Sequence, residues 1–123
     1  MYQQRNNIRR GYFGETAACK YLTSLGYKII ERNFKKRYGE IDIVACQGKT
    51  LVFVEVKTRR GTSFGTPEEA ITPWKMSSLI KSAQYYKLIH PNSPDAMRID
   101  LISIHLNDAY EIEKIQHYKN ISQ

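Results

Sequence analysis

Apolar residues along this chain change period several times, and the changes divide it into elements. Between Gly11 and Gly26, the residues Gly14, Ala17, Ala18, Tyr21, Leu22 and Leu25 recur at three- and four-residue steps. That spacing predicts a helix with one apolar stripe, and Gly26 is a natural stop. Glu15 lies seven residues before Leu22, so it falls on the margin of the stripe. The period then shortens to two. YKIIERNF is a first strand, EIDIVA a second and LVFVEVK a third, with the basic run Lys35-Lys36-Arg37 after the first. TRRGTSFGTPEEA follows as a loop long enough to be mobile. Thr72 and Pro73 are a hydroxyl cap followed by a proline at the first helical position. They predict a helix to about Ile89 with Met76, Leu79, Ile80, Ala83 and Tyr86 inward and HPNSP ending it. MRIDLISIHL alternates as a fourth strand, and AYEIEKI is a short fifth at an edge. A helix, a three-strand meander, a helical crossover and a further strand give an α/β fold: a mixed sheet with helices on both faces.

The second and third strands carry the most unusual residues. In GEIDIVACQGKTLVFVEVK, the acids Glu40, Asp42 and Glu55 sit among strand residues, where acids are depleted. Val52, Val54 and Val56 share one face of the third strand, and Leu51, Phe53, Glu55 and Lys57 share the other. Both faces begin apolar, which predicts a central strand with cover on each side. Two two-residue turns are open: Gln47-Gly48, which sets Glu40 opposite Glu55, or Gly48-Lys49, which sets Asp42 opposite Glu55 and Glu40 opposite Lys57. In either register regular alternation puts Glu40, Asp42, Glu55 and Lys57 on one face, with Ile41 and Ile43 together on the other. A three-residue turn or a bulge would break that. Opposed carboxylates about 5 Å apart repel by roughly 3 kcal/mol at an effective dielectric of 20. The strands therefore need Lys57, an arginine, a shared proton or a divalent cation beside the acids. Carboxylate oxygens suit Mg²⁺ or Mn²⁺, which in turn suit phosphate chemistry. Lys57 can then position the attacking water or neutralise phosphate.

Length and charge sharpen this. A chain of 123 residues suits one compact domain, expected over residues 11–118, with a flexible basic arm at 1–10 and a tail at 119–123. No apolar run is long enough to span a membrane. The two cysteines, Cys19 and Cys46, lack C-x-x-C spacing and fit a reduced cytoplasmic protein as small apolar fillers. The net charge is +7, and residues 1–60 carry 13 Lys/Arg against 5 Asp/Glu. A half so basic points to a polyanion partner such as DNA. Lys35, Lys36 and Arg37 are candidate backbone contacts, as are Arg59 and Arg60 beside the acids, though each cluster also reads as a solvated turn or loop. Lys75 sits near a helix N-terminus, which disfavours a cation unless phosphate is near. Phe64 reads as core packing, with a wedge against bases as the alternative; Trp74, Tyr85 and Tyr86 read as core or partner-helix residues, and His90, His105 and His117 show no ligand spacing.

The segments GYFGETAACKYLTSLGYKIIERNFKKRYGEIDIVA, LVFVEVKTR, FGTPEEAITPWK and RIDLISI together resemble the YraN-like family of uncharacterised predicted endonucleases. That family is similar to archaeal Holliday junction resolvases within the PD-(D/E)xK nuclease superfamily. The resemblance covers roughly residues 8–105. It implies a restriction-endonuclease-like fold with an α-β-β-β-α-β core. It places the first-helix acid of the superfamily on Glu15, the motif aspartate on Asp42, the (D/E)-x-K pair on Glu55 and Lys57, and the assisting second-helix residue on Lys75. Ile41 stands where the motif has proline. The expectation is a metal-dependent DNA endonuclease acting on phosphodiester bonds, with Glu15, Asp42, Glu55 and Lys57 catalytic and Glu15, Asp42 and Glu55 holding Mg²⁺ or Mn²⁺. Glu40 is a further candidate. Branched or junction DNA is the substrate the resemblance suggests, and a homodimer follows by analogy with resolvases. A nucleic-acid-binding module that does not cut, and a structural dimer whose acids only pair with arginines, are the alternatives.

Overall fold

A computed structural model describes residues 2–61 and 70–122, with the backbone alone for residues 2–10. The order is α1 (Tyr2–Ser24), β1 (Lys28–Lys36), β2 (Gly39–Gln47), β3 (Thr50–Arg60), α2 (Pro73–Ile89), β4 (Ala96–Leu106) and β5 (Ile112–Tyr118). The five strands form one sheet in sequence order. All neighbours are antiparallel except β3 and β4, which run parallel because α2 carries the chain back across the sheet. This is the α/β core that the sequence implies. Among the described residues no helix is long and apolar enough to cross a membrane. Phe64 lies outside the described residues.

The two helices cover opposite faces. Leu79, Ala83 and Tyr86 of α2 pack in one cluster with Phe34, Ile41, Val44, Leu51, Phe53, Ile99 and Leu101. Ala18 and Leu22 of α1 pack in the other cluster with Tyr27, Ile43, Ala45, Val52, Val54, Ile102, Ile104 and Leu106. The valines of β3 and its Leu51/Phe53 pair divide between the faces as the alternation predicts. Thr72 caps α2: its Oγ1 accepts from the Lys75 N–H at 3.1 Å. Gly26, at φ 91, ends α1: its N–H donates to the Thr23 carbonyl and that of Tyr27 to the Leu22 carbonyl.

Several bounds differ from the sequence reading. α1 begins at Tyr2, so residues 2–10 continue the helix and do not form a separate arm. Gly11 lies inside the helix: glycine there costs only about 1 kcal/mol relative to alanine and does not by itself end it. β3 continues to Arg60 because β4 pairs with it as far as Arg60–Leu106. Residues 119–122 are no loose tail, since Asn120 and Ile121 donate backbone hydrogen bonds to Asp100 and Ile99. Two residues expected to pack are exposed. Leu25 lies just past the end of α1, and Trp74, in the first turn of α2, is 85% exposed.

Candidate active site

The hairpin adopts the second of the two open registers. Gln47 pairs with Thr50, and Gly48 occupies the first turn position at φ 59, the left-handed region that glycine tolerates. The β2–β3 ladder runs from there to Ile43–Val54 and stops. Asp42 and Glu55, the next residues along, do not continue it. The Asp42 carboxylate takes the backbone's place and accepts from the Val56 N–H at 2.8 Å.

The same point breaks the alternation of β2. Ile41 packs under α2 and Ile43 under α1, although they stand two residues apart. The expectation that they share a face, with Glu40 and Asp42 together on the other, is corrected here. The neighbouring strand breaks at the same level. β1 and β2 pair as Arg32–Ile43 and then Phe34–Ile41, and Asn33, between them, is in the left-handed region at φ 54. Asparagine tolerates that conformation better than most residues. Both strands therefore turn their side chains over at one level of the sheet, beside the place where β2 and β3 part.

The acids consequently arrive from two faces. Glu55 alternates with Phe53 and turns towards α2, where it meets Lys75 Nζ at 3.4 Å and Lys57 Nζ at 3.8 Å. Glu15 comes from α1. Glu40, next to the α2-facing Ile41, turns to the α1 side. Asn33 Nδ2 donates to Glu15 at 2.9 Å and to Glu40 at 2.8 Å. Arg32 lies 3.6 Å from Glu15 and also stacks over the Tyr12 ring at 4.8 Å. Carboxylate oxygens of Glu15, Glu40 and Asp42 lie within 4.8 Å of one another. Glu15, Asp42, Glu55, Lys57 and Lys75 line one open cleft of about 360 Å³, with Gly11, Val56 and Thr58. α1 reaches it through a close approach: a Cβ on Gly14 would overlap the Thr58 hydroxyl, so only glycine lets Glu15 sit this near β3.

Asp42 is the electrostatic centre. Burial above all, then the charge of Glu55 and a hydrogen bond with its carboxyl, push Asp42 up to about 8. The Val56 N–H works against this and Glu15 adds to it. At neutral pH the pair therefore holds a proton, one of the four remedies the sequence offers for opposed acids. A divalent cation is another. Oxygen donors from Glu15, Glu40 and Asp42 in close mutual reach fit a hard cation such as Mg²⁺ or Mn²⁺, which would take the place of the shared proton.

Not every candidate converges. Lys35, Lys36 and Arg37 are exposed at the end of β1, and Arg37 lies 5.9 Å from the Tyr38 ring. Arg59 and Arg60 end β3, and Arg60 covers the Tyr110 ring at 4.5 Å. None of these five lines the cleft. Glu40, the weakest-argued acid in the sequence, stands beside Glu15. Asn33 was missed, and its signal was an asparagine inside a strand run, ERNF, where asparagine is depleted. The histidines take other roles. His117 and His90 hydrogen-bond to Asp100 and to the Tyr86 carbonyl, and His105 is buried against Ser103.

Residues 14–104 match the uncharacterised protein family UPF0102. A UPF0102 protein of Syntrophomonas wolfei is 46% identical over 93% of this chain and 97% of its own length. One from Geotalea daltonii is 41% identical over 95% and 91%, and one from Clostridium botulinum 43% identical over 92% and 93%. The matched span holds every acid of the cleft, Asn33 and both lysines, and on that agreement the chain belongs to the UPF0102 family, the YraN-like family its sequence resembles.

Proposed function

We propose that this protein is a divalent-metal-dependent DNA endonuclease that hydrolyses phosphodiester bonds, working in the cytoplasm. The observation that carries the reading is the convergence of Glu15, Glu40, Asp42 and Glu55 where the sheet opens, with Lys57 and Lys75 beside them and Asp42 held at about 8. Such crowding destabilises the fold, and a site for a cation and a phosphate gives it a use. Glu15, Asp42 and Glu40 would hold Mg²⁺ or Mn²⁺, and Glu55 completes the negative field from the other face. When bound, the cation supplies positive charge against the carboxylates and against the charge building on phosphorus. Lys75 and Lys57 neutralise the phosphate, and Lys57, held by Glu55, orients the water whose oxygen bonds to phosphorus as the strand oxygen leaves. Asn33 fixes Glu15 and Glu40 through one amide, so the two carboxylates are ordered before any ligand arrives.

The test is incubation with duplex, single-stranded, flapped and branched DNA in Mg²⁺ or Mn²⁺. The expected result is cleavage of at least one substrate, lost in Asp42→Asn and in Lys57→Ala. Cleavage that survives both substitutions removes the site assignment. The basic half of the chain supports a second reading, a module on the same fold that binds nucleic acid without cutting it. Salt-sensitive binding that is indifferent to divalent cations, with no cleavage of any substrate, would select it. A homodimer presenting two clefts to a branched substrate extends the first reading.

A further inference from the structure

Beside the cleft, α2 carries an aromatic feature that the hydrolytic reading does not use. Trp74 precedes Lys75 in the first turn of α2 and leaves 85% of its surface exposed. An indole this exposed adds nothing to the core. It forms one wall of a second cavity, of about 180 Å³, lined by Tyr38, Trp74, Ser77, Ser78 and Lys81. Tyr38, itself 43% exposed, is braced from behind by Tyr85 with ring centroids 6.1 Å apart. The Ser78 hydroxyl donates to the Tyr38 carbonyl, which ties the β1–β2 turn to α2. A side chain at Gly39, where φ is 127, would press on the same hydroxyl, so the turn is built to close against the helix. The cavity lining holds a lysine and no acid. Lys35, Lys36 and Arg37 stand exposed in the run leading to Tyr38, and Lys75, one residue from Trp74, reaches Glu55 in the cleft.

An aromatic wall, hydroxyls able to meet base edges, and cations on the flanks match one ligand chemistry: a planar nucleobase on an anionic strand. A paired base in a duplex keeps its faces stacked and cannot enter. We propose that the Trp74–Tyr38 groove receives an unpaired nucleobase of the strand whose phosphate lies in the cleft, so that the site selects nucleic acid with single-stranded character. The inference rests on the nuclease reading for the phosphate it orients, while base binding at the groove can be measured apart from cleavage. The surrounding cations favour a polyanion over a second copy of this equally basic chain, which they would repel.

Trp74 is the sole tryptophan of the chain, so its fluorescence reports the groove directly. Stacking on one aromatic contributes about 5- to 150-fold in affinity per base. Titration of the Asp42→Asn protein, which leaves the strand intact, with oligothymidylate should quench the indole emission saturably. A duplex of the same length should quench it far less. Trp74→Ala should weaken single-strand binding about tenfold, followed by anisotropy of a labelled strand, and leave duplex binding unchanged, whereas Trp74→Phe should retain most of the affinity. Because Trp74 is exposed, its replacement leaves the fold intact. No quench, or equal single-strand affinity in Trp74→Ala, overturns the proposal. A change in sedimentation of Trp74→Ala with strand binding unaltered also overturns it and makes the face a contact between copies. Quenching without cleavage by the unsubstituted chain removes the nuclease reading and keeps the groove; cleavage without quenching does the reverse.

Discussion

Asp42 and Asp100 both sit within this sheet, Asp42 half-buried at the cleft and Asp100 fully buried, yet the protein treats them in opposite ways. Asp100, on β4 beneath the end of α1, is fully buried. Burial alone would raise it. Hydrogen bonds from His117 at 2.7 Å, the Asn120 N–H at 3.0 Å and Arg98 at 3.0 Å more than offset that and hold it below its ordinary value. Arg98 in turn donates to the Tyr27 hydroxyl at 2.7 Å, and the Tyr21 hydroxyl meets the other nitrogen of His117. Every oxygen of Asp100 is occupied from within the chain. Asp42 has one backbone N–H and otherwise faces other acids, and it is pushed up to about 8. A carboxylate whose partners are complete serves the fold. A carboxylate whose partners are wanting points to something outside the chain. Both are aspartates and Asp100 is the more deeply buried of the two, so the completeness of the partner set, and not burial, carries the distinction.

The largest effect expected from this contrast is on stability at Asp100. Asp100→Ala leaves the half-buried Arg98 without its counter-ion and His117 without its acceptor, and the expected loss is about 3 kcal/mol, the low end for breaking a buried pair. Urea unfolding measures it. A loss below about 1 kcal/mol would mean that Asp100 is no clamp. The acid side carries a second signature. A carboxylate lowered in the folded state contributes stability above its unfolded value of 3.8, lost as pH falls through the folded value. Asp100→Asn should therefore be less stable than the unsubstituted chain at pH 6 and approach it in acid.

Asp42 should behave in reverse. Asp42→Asn is expected to reduce cleavage at least about a hundredfold, because replacing even the outer partners of metal ligands costs 10- to 100-fold. The same substitution should stabilise the cation-free protein. Folding raises the pKa of Asp42, so the folded state holds a proton that the unfolded chain releases, and stability declines as pH rises from 3.8 towards 8. Asparagine removes that decline. The gain should be near zero at pH 4, grow through neutrality and level off above pH 8, as denaturant midpoints across pH would record. A cost at pH 8 would mean that Asp42 is satisfied after all, like Asp100.

The proton at Asp42 also competes with a cation. Binding must displace it, so apparent Mg²⁺ or Mn²⁺ affinity should fall about tenfold per pH unit below about 8, reaching about a hundredfold by pH 6. Above pH 8 it should be flat. Calorimetry in two buffers of different ionisation enthalpy would read close to one proton released per cation at pH 7. Release of no proton would place the cation away from Asp42.

How far these features were legible in the sequence follows from their range. Thr72-Pro73 and Gly26 act on their own neighbours, and both helix ends lie where they put them. The split of Val52 and Val54 from Leu51 and Phe53 needs only a period of two, and it holds. The same period failed one strand away. Nothing in EIDIVA announces that Ile41 and Ile43 face opposite helices, because the break depends on Asn33 in β1 and on β3 parting from β2. Glu40 was undervalued for that reason, since its partner lies across two elements. Trp74 does not join the core, because the pattern of α2 marks which residues are apolar and not which of them the sheet can reach. Asp100 stands in plain sight in RIDLISI, but its clamp comes from His117 in β5, from Asn120 just after that strand and from Arg98 two residues before it.

The finest test separates conformation from contact at Asn33. This residue both bends β1 through its positive φ and joins Glu15 to Glu40 through its amide. Asn33→Ala confounds the two roles, because alanine in the left-handed region costs about 1–2 kcal/mol. Asn33→Gly keeps the bend and removes only the amide. Stability should then change by less than about 1 kcal/mol. Glu15 and Glu40 would lose their shared donor and repel without a bridge, and cation affinity should fall about tenfold, the low end for an outer partner of a metal site. Asn33→Asp keeps an oxygen that tolerates the left-handed region but replaces the donor with a third negative charge between the two glutamates. It should raise cation affinity at pH 8 if the acids act together on one ion. If Asn33→Gly instead unfolds the protein while its cation affinity per folded molecule is unchanged, the bridge belongs with Asp100, as part of the scaffold.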